Sequence, residues 1–216
     1  MIFGQSNASL WLRLPRVLLT LAFLLGSGPM SWAVTSPQPE REGAVPPWSV
    51  EQLIAGVAKN RPQQVGFEET AFSHLLTQPL KTQGILRFTP PATLEKYVTA
   101  PYKERYLVEG DKLFFESKAK RMSKTVSLRD YPVLRAFVEA FRSTLANDVS
   151  TLKRFYRLTL EGEPRRWTLI LRPSDSAMQE LVESIRFSGE GEQVKAIETL
   201  APDGDRSLMV LTTDAQ

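Results

Sequence analysis

The chain has no cysteine and one histidine, His74, in 216 residues. Without cysteine there is no disulfide, no thiolate metal site, no cysteine nucleophile and no cysteine-borne lipid anchor. A single histidine with no His or Cys cluster around it does not build a metal site. It could pair with Ser73 or a carboxylate, yet no nucleophile-elbow or other triad motif accompanies it. A large charge surplus is missing too. The formal net charge of +3 falls to +1 once Arg13 and Arg16, the only charged residues among the first 33, are set aside. Such near neutrality argues against a nucleic-acid partner. After the N-terminal region, no run is apolar over the roughly 20 helical residues that a bilayer requires.

What the N-terminus does have is the tripartite pattern of a secretory signal. Arg13 and Arg16 supply positive charge, Val17 to Leu25 an apolar run, and Gly26 to Ala33 a small-residue region ending Ser31-Trp32-Ala33. The expectation is a cleaved signal peptide over 1–33, a mature start near Val34, and export to a bacterial periplasm, where a cysteine-free domain is at home. Residues 34–47, rich in Pro, Glu and Ser, are expected to be a disordered linker. Residues 48–216 fit one domain, large enough to bury about 70% of its unfolded surface.

Ser49 with Gln52 forms a capping box ahead of an apolar stripe, Val50, Leu53, Ile54 and Val57. Asn60-Arg61-Pro62 ends that helix. From Val65 to Val126 the pattern is short strands separated by turn signals, among them Pro90-Pro91 and Glu109-Gly110-Asp111. Asp130-Tyr131-Pro132 predicts the start of a second helix, with Asp130 as N-cap. Its apolar face carries Val133, Leu134, Phe137, Val138, Phe141 and Leu145, and the remaining face Arg135, Glu139 and Arg142. Val149 to Arg154 is ambiguous. Strands are predicted from Phe155 to Glu161, Arg166 to Leu171, Glu183 to Ser188, Val194 to Leu200 and Ser207 to Thr212, with a helical turn over Asp175 to Leu181. Turns at roughly ten-residue spacing argue for a mainly β fold with helices (α+β), an incomplete and strongly curved antiparallel β-barrel.

Few residues suggest chemistry. Glu68 and Glu69 are strand neighbours that point to opposite faces, so they do not form an acid/base pair; a solvated residue and an edge salt bridge are expected. Asp203-Gly204-Asp205 lacks the other ligands of a calcium loop, and turn chemistry accounts for it. Lys118 to Arg121 with Lys124 reads as a solvated hairpin tip, with contact to anionic lipid headgroups or a membrane partner as the alternative. No metal, cofactor or catalytic residue is assigned. The aromatic residues inside predicted elements read first as core, although a curved sheet capped by helices can also leave a lined concavity.

The order of motifs resembles the outer-membrane lipoprotein carrier family, LolA, in a divergent form. Phe67-Glu68-Glu69 resembles the family's first strand. Gly84-x-Leu86-x-Phe88 runs into Pro90-Pro91, and Leu94 to Val98 and Ala100-Pro101 follow. Leu107-Val108-Glu109-Gly110-Asp111-Lys112-Leu113-Phe114 resembles its central hairpin, and Trp167-x-Leu169-x-Leu171-x-Pro173 a later strand. The resemblance covers most of 48–212. It implies helices acting as a lid over a hydrophobic cavity, and a non-enzymatic carrier. Acyl chains would be taken from an inner-membrane transporter and shielded on the way to an outer-membrane acceptor.

Under that resemblance Phe88, Tyr97, Phe115, Trp167 and Leu169 would line the cavity, and Phe137, Phe141 and Leu145 would form the lid. The partners implied are lipoprotein acyl chains or a lipid-like cargo, carried by a monomer. Two departures are plain. Pro90 stands where the best-known members carry a lid-bonding arginine, the nearest arginine being Arg87. Leu94-Glu95-Lys96-Tyr97 replaces their arginine-aromatic run. A glycolipid, a free fatty-acyl compound or a lipid-linked pigment is therefore equally allowed as cargo. Two other readings stand beside the carrier: a periplasmic assembly factor that binds a protein on its curved sheet, and a hydrolase relying on His74.

Overall fold

The computed structural model describes residues 48–212. The expected signal peptide and linker lie outside the described residues. Helix α1, Val50–Asn60, begins where the capping box places it: the Ser49 hydroxyl accepts from the Gln52 N–H, and the Gln52 side chain accepts from the Ser49 N–H. Leu53, Ile54 and Val57 are buried, as the stripe requires.

Eleven strands follow: β1 Gln64–Phe72, β2 Leu80–Thr89, β3 Thr93–Ala100, β4 Glu104–Glu109, β5 Lys112–Ser117, β6 Met122–Ser127, β7 Tyr156–Glu163, β8 Arg166–Pro173, β9 Ser184–Glu190, β10 Gln193–Leu200 and β11 Arg206–Thr212. They form one antiparallel sheet in the order β6-β5-β4-β3-β2-β1-β11-β10-β9-β8-β7. Two meanders thus meet at the β1–β11 pair, where Glu69 lies opposite Met209. The edges are β6 and β7, which do not pair, so the sheet curves without closing. The segment from β6 to β7 carries the helices that cover the concavity: α2, Pro132–Leu145, and α3, Val149–Phe155. A short α4, Ser176–Gln179, capped by Asp175, precedes β9.

Curvature is written into two glycines. A Cβ on Gly84 would stand 2.0 Å from the Tyr97 carbonyl oxygen, next to the register shift between Gln83 and Gly84. A Cβ on Gly189 would stand 2.4 Å from the Trp167 ring, which occupies that space.

Several boundaries differ from the sequence reading. Asp130 does not cap α2; it ends a 3-10 turn, Leu128–Asp130, and the N-cap is Tyr131, with no side-chain bond. Proline at the first helical position suffices as a start. Phe155 ends α3 rather than opening a strand. Glu139 is not on a solvated face: it is 4% exposed. β1 is the middle strand of the sheet, so Glu69 makes no edge salt bridge.

Candidate functional site

The side-chain alternation of the strands defines a concave face. On β7 to β9 it presents Leu158, Leu160, Trp167, Leu169, Leu171, Ile185 and Phe187, whose register places Phe187 opposite Leu169 and Gly189 opposite Trp167. The last five are at most 3% exposed. The Trp167 indole donates to the Gly191 carbonyl at 2.8 Å, so its one polar atom is satisfied.

Helix α2 lies on this face. Phe137 and Phe141 stack on each other with centroids 5.3 Å apart, and Phe141 meets Phe187 edge-on at 5.6 Å. Phe137, Phe141 and Leu145 are only partly buried while packing against the main core cluster. The other flank of α2 sends Val138 and Leu134 against Val108 and Leu113 of β4 and β5 and Leu128. The helix therefore bridges two sides of the open sheet. The Tyr156 hydroxyl donates to the Ala136 carbonyl at 2.8 Å. Arg142 donates to the Gly110 carbonyl of the β4–β5 turn at 2.8 Å and pairs with Glu139, which also accepts from the Ser143 hydroxyl. These contacts tie the covering helix to the turn beneath it. No sequence pattern distinguishes Arg142 from a solvated arginine; its partner is a backbone carbonyl brought close by the fold.

On β1 to β5 the same face carries a polar belt. Glu69 receives Lys96 at 2.5 Å, Ser207 at 2.6 Å and Thr82 at 3.3 Å. Burial alone would raise the Glu69 carboxyl, but the Lys96 charge and these three hydrogen bonds outweigh it and hold the group below the usual range. The Lys96 ammonium also lies 5.0 Å from the centroid of the Phe67 ring. Glu104 accepts from Tyr106, Ser117 and Lys120. Desolvation again pushes Glu104 up, and those donors bring it below the usual range. Tyr106, buried and beside that carboxylate, has its phenol pushed far up and stays protonated.

The residues expected to line a cavity divide. Trp167, Leu169 and Phe115 face inward and are buried, Phe115 against Tyr106 at 4.8 Å. Phe88 is buried but lies outside the main cluster, under the Arg61 guanidinium at 4.8 Å. Tyr97 is a correction. Its neighbour Val98 belongs to the core, so strand alternation turns Tyr97 to the convex face, where it lines a groove of about 250 Å3 with Ile85, Arg87, Glu95 and Arg105. Arg87 points the same way, paired to Glu95 at 3.0 Å, and does not reach the helices. Phe187, the residue that Phe141 touches, was not singled out from sequence, although Ile185-x-Phe187 carries the alternation that marks it.

A larger cleft of about 460 Å3 lies outside α2, lined by charged residues that include Arg129, Arg135, Arg142, Arg154, Asp111 and Glu139. His74, Asp203 and Asp205 come together at another point, where Asp205 accepts from the His74 N–H at 3.0 Å and lies 2.9 Å from its ring nitrogen. That contact anchors the β1–β2 loop to the β10–β11 turn.

Comparison with known proteins adds the following. Solved structures with similar folds include a LolA superfamily protein from Nitrosomonas europaea, at 10% identity and a TM-score of 0.40, covering 76% of this chain and 92% of that one. An uncharacterized conserved protein from Thermus thermophilus matches at 10% identity and a TM-score of 0.47, over 78% of this chain and 90% of that one. The Pseudomonas aeruginosa MucA/MucB complex matches at 12% identity and a TM-score of 0.41, over 76% of this chain and 55% of that one. No curated protein matches the sequence. The family model described as "Outer membrane lipoprotein carrier protein LolA-like" matches residues 44–216, and the chain belongs to that family.

Proposed function

We propose that this protein is a non-enzymatic periplasmic carrier that shields the acyl chains of a lipoprotein or another lipid-like cargo between an inner-membrane donor and an outer-membrane acceptor. The observation that carries the reading is the contact of α2 with the concave sheet. Its large apolar side chains, Phe137, Phe141 and Leu145, rest on the face only partly buried, while the floor beneath them is dry. An acyl chain could take the place of those side chains if α2 swings about its ends. Each methylene moved from water to such a floor contributes about 0.8 kcal/mol, so a dozen give on the order of 10 kcal/mol before ordering costs. The polar belt at Glu69, Lys96 and Glu104 offers hydrogen bonds to the hydrated end of such a cargo.

The experiment is native mass spectrometry of detergent-free protein, paired with displacement of an apolar fluorescent probe. A stoichiometric adduct of lipid mass is expected. Phe141 is only partly buried, so Phe141→Asp should leave the protein folded, and it should weaken probe uptake about tenfold or more because an acyl chain laid against the carboxylate would desolvate it. Unchanged uptake in that variant would sink the lid assignment. A second reading, an assembly factor that binds a protein on its sheet, is favoured by one feature: the side chains of α2 occupy the concave face. A clean apo mass with no probe displacement would move the conclusion there.

A further inference from the structure

Five large apolar side chains stand exposed among the described residues: Leu75, Leu76, Leu80, Tyr102 and Val210. Scattered singly, such residues mean little. Here four of them share one rim of the sheet. In an antiparallel order, the β1–β2 loop, the β3–β4 turn and the β5–β6 turn all emerge at the same end. Leu75 and Leu76, 53% and 42% exposed, sit in the first, Leu80 opens β2, and Tyr102, 63% exposed, sits in the second. The second and third turns are joined directly, by the Lys118 N–H donating to the Lys103 carbonyl at 3.3 Å.

The same turns are basic. Lys81, Lys103, Lys118, Lys120 and Arg121 are all exposed there, and Glu104 is the one acid within 73–81, 101–104 and 117–121. Glu104 is paired to Lys120. Among the described residues, Lys81, Lys103, Lys118 and Arg121 have no carboxylate within ion-pair distance. The sector has limits: from the β10–β11 turn onward the rim is acidic, with Asp203 in that turn and Glu183 and Glu180 beyond it.

The leucines are held outward rather than left to collapse. Asp205, 3% exposed, accepts from the His74 N–H at 3.0 Å. The Leu75 N–H donates to the Ser73 hydroxyl at 3.2 Å and the Leu76 N–H to the Ser73 carbonyl at 3.0 Å. This closes a turn with both apolar side chains on its outside. Burial pushes the Asp205 carboxyl up, but the bonds from Ser73 and His74 bring it below the usual range, so the anchor is charged at neutral pH.

We infer that this rim is a docking surface for an anionic lipid bilayer, with Leu75, Leu76, Leu80 and Tyr102 entering the interfacial region and the surrounding lysines and Arg121 facing the headgroups. Apolar side chains ringed by unpaired cations match that surface in both polarity and charge, and neither feature alone would do so. A soluble acidic protein would satisfy the cations but give the leucines nothing specific. A second copy of the chain would set cation against cation. The inference goes beyond the carrier reading and does not depend on it.

The test is flotation of the purified protein with phosphatidylcholine vesicles, pure or containing about a third phosphatidylglycerol. Binding about tenfold or more stronger to the anionic vesicles, weakened by salt, is expected. Two exposed-site variants separate the contributions. Leu75→Asp with Leu76→Asp should lower binding about tenfold. Lys103→Glu with Lys118→Glu should remove most of the salt dependence. Circular dichroism should report an unchanged fold for both. No binding to anionic vesicles, equal binding to neutral ones, or unchanged binding in the leucine variant would each overturn the inference. So would a concentration-dependent dimer in ultracentrifugation that the leucine variant abolishes. The leucine variant should still take up a soluble acyl probe, so failure of the docking surface and failure of the carrier reading are distinguishable.

Discussion

The inner face of the sheet is two surfaces. Over β7 to β9 it is dry: Trp167, Leu169, Leu171, Ile185 and Phe187 are at most 3% exposed and touch side chains from the helices. Over β1 to β5 it is apolar at Phe67, Val98 and Phe115 but also holds Glu69, Lys96, Glu104 and Ser117. The difference shows where covering ends. Where helices exclude water, an uncompensated charge would cost several kcal/mol, and none is present there among the described residues. Where water still reaches, charges persist because each has a partner. Lys96 and Glu69 keep 29% and 20% side-chain exposure. Stability should therefore be concentrated in the dry half, and sensitivity to pH in the polar one.

Three substitutions test that contrast. Trp167→Ala should be the most damaging. It empties the space above Gly189 and leaves the Gly191 carbonyl without its donor, and a loss of about 3–5 kcal/mol is expected in urea unfolding. A loss below about 1 kcal/mol would mean that the floor is not the stabilising half.

Next is the junction between the halves. Arg142→Met keeps bulk but removes the guanidinium from buried Glu139 and from the Gly110 carbonyl. The expected cost is about 2 kcal/mol, less than for a fully buried pair because Arg142 keeps 17% side-chain exposure. Adding Glu139→Gln should recover part of it. If the double variant is no better than the single one, the damage comes from the lost bond to Gly110 alone.

The smallest effect is expected in the polar half, and it carries a sign. With Lys96 present, Glu69 has a lowered folded-state value, so its contribution is fully present above the ordinary carboxylate value near 4.5 and is lost as pH falls through the lower folded value. In Lys96→Met the desolvation of Glu69 is opposed only by the hydrogen bonds from Ser207 and Thr82, so its ionised form is less favoured than in the parent. The variant should be about 1 kcal/mol less stable at pH 7, and its deficit relative to the parent should shrink as pH falls from 7 towards 4. Melting temperatures of both proteins across that range check it; a constant deficit would show that Lys96 acts through packing on Phe67.

The residues that misled the sequence reading have one thing in common. Tyr97 was expected inside as an aromatic residue of the sheet under the resemblance, but period-2 alternation needs one reference residue of known facing, and Val98 supplies it only in the fold. Glu139 lies on the polar side of its own helix, yet it is buried, where Arg142 and Ser143 donate to it. Glu69 was read as belonging to an edge because the β1–β11 pairing joins residues about 140 positions apart, and no local pattern announces it. The shared face of Phe137, Phe141 and Leu145 was legible from helical periodicity, and that of Trp167 and Leu169 from strand alternation, but which side of the sheet the latter two turn to only the fold decided.

Local physics, readable residue by residue, set the capping box at Ser49, the strand and turn rhythm and the apolar faces of α1 and α2, and the family pattern was spread over the chain. The tertiary structure alone decided which strands became edges, which half of the concave face stayed dry, that Arg142 ties the covering helix to a turn, and that leucines and lysines from three separate turns share one rim. Those outcomes depend on contacts between residues far apart in the chain, and such contacts exist only after the sheet has curved and the segment between β6 and β7 has folded across it.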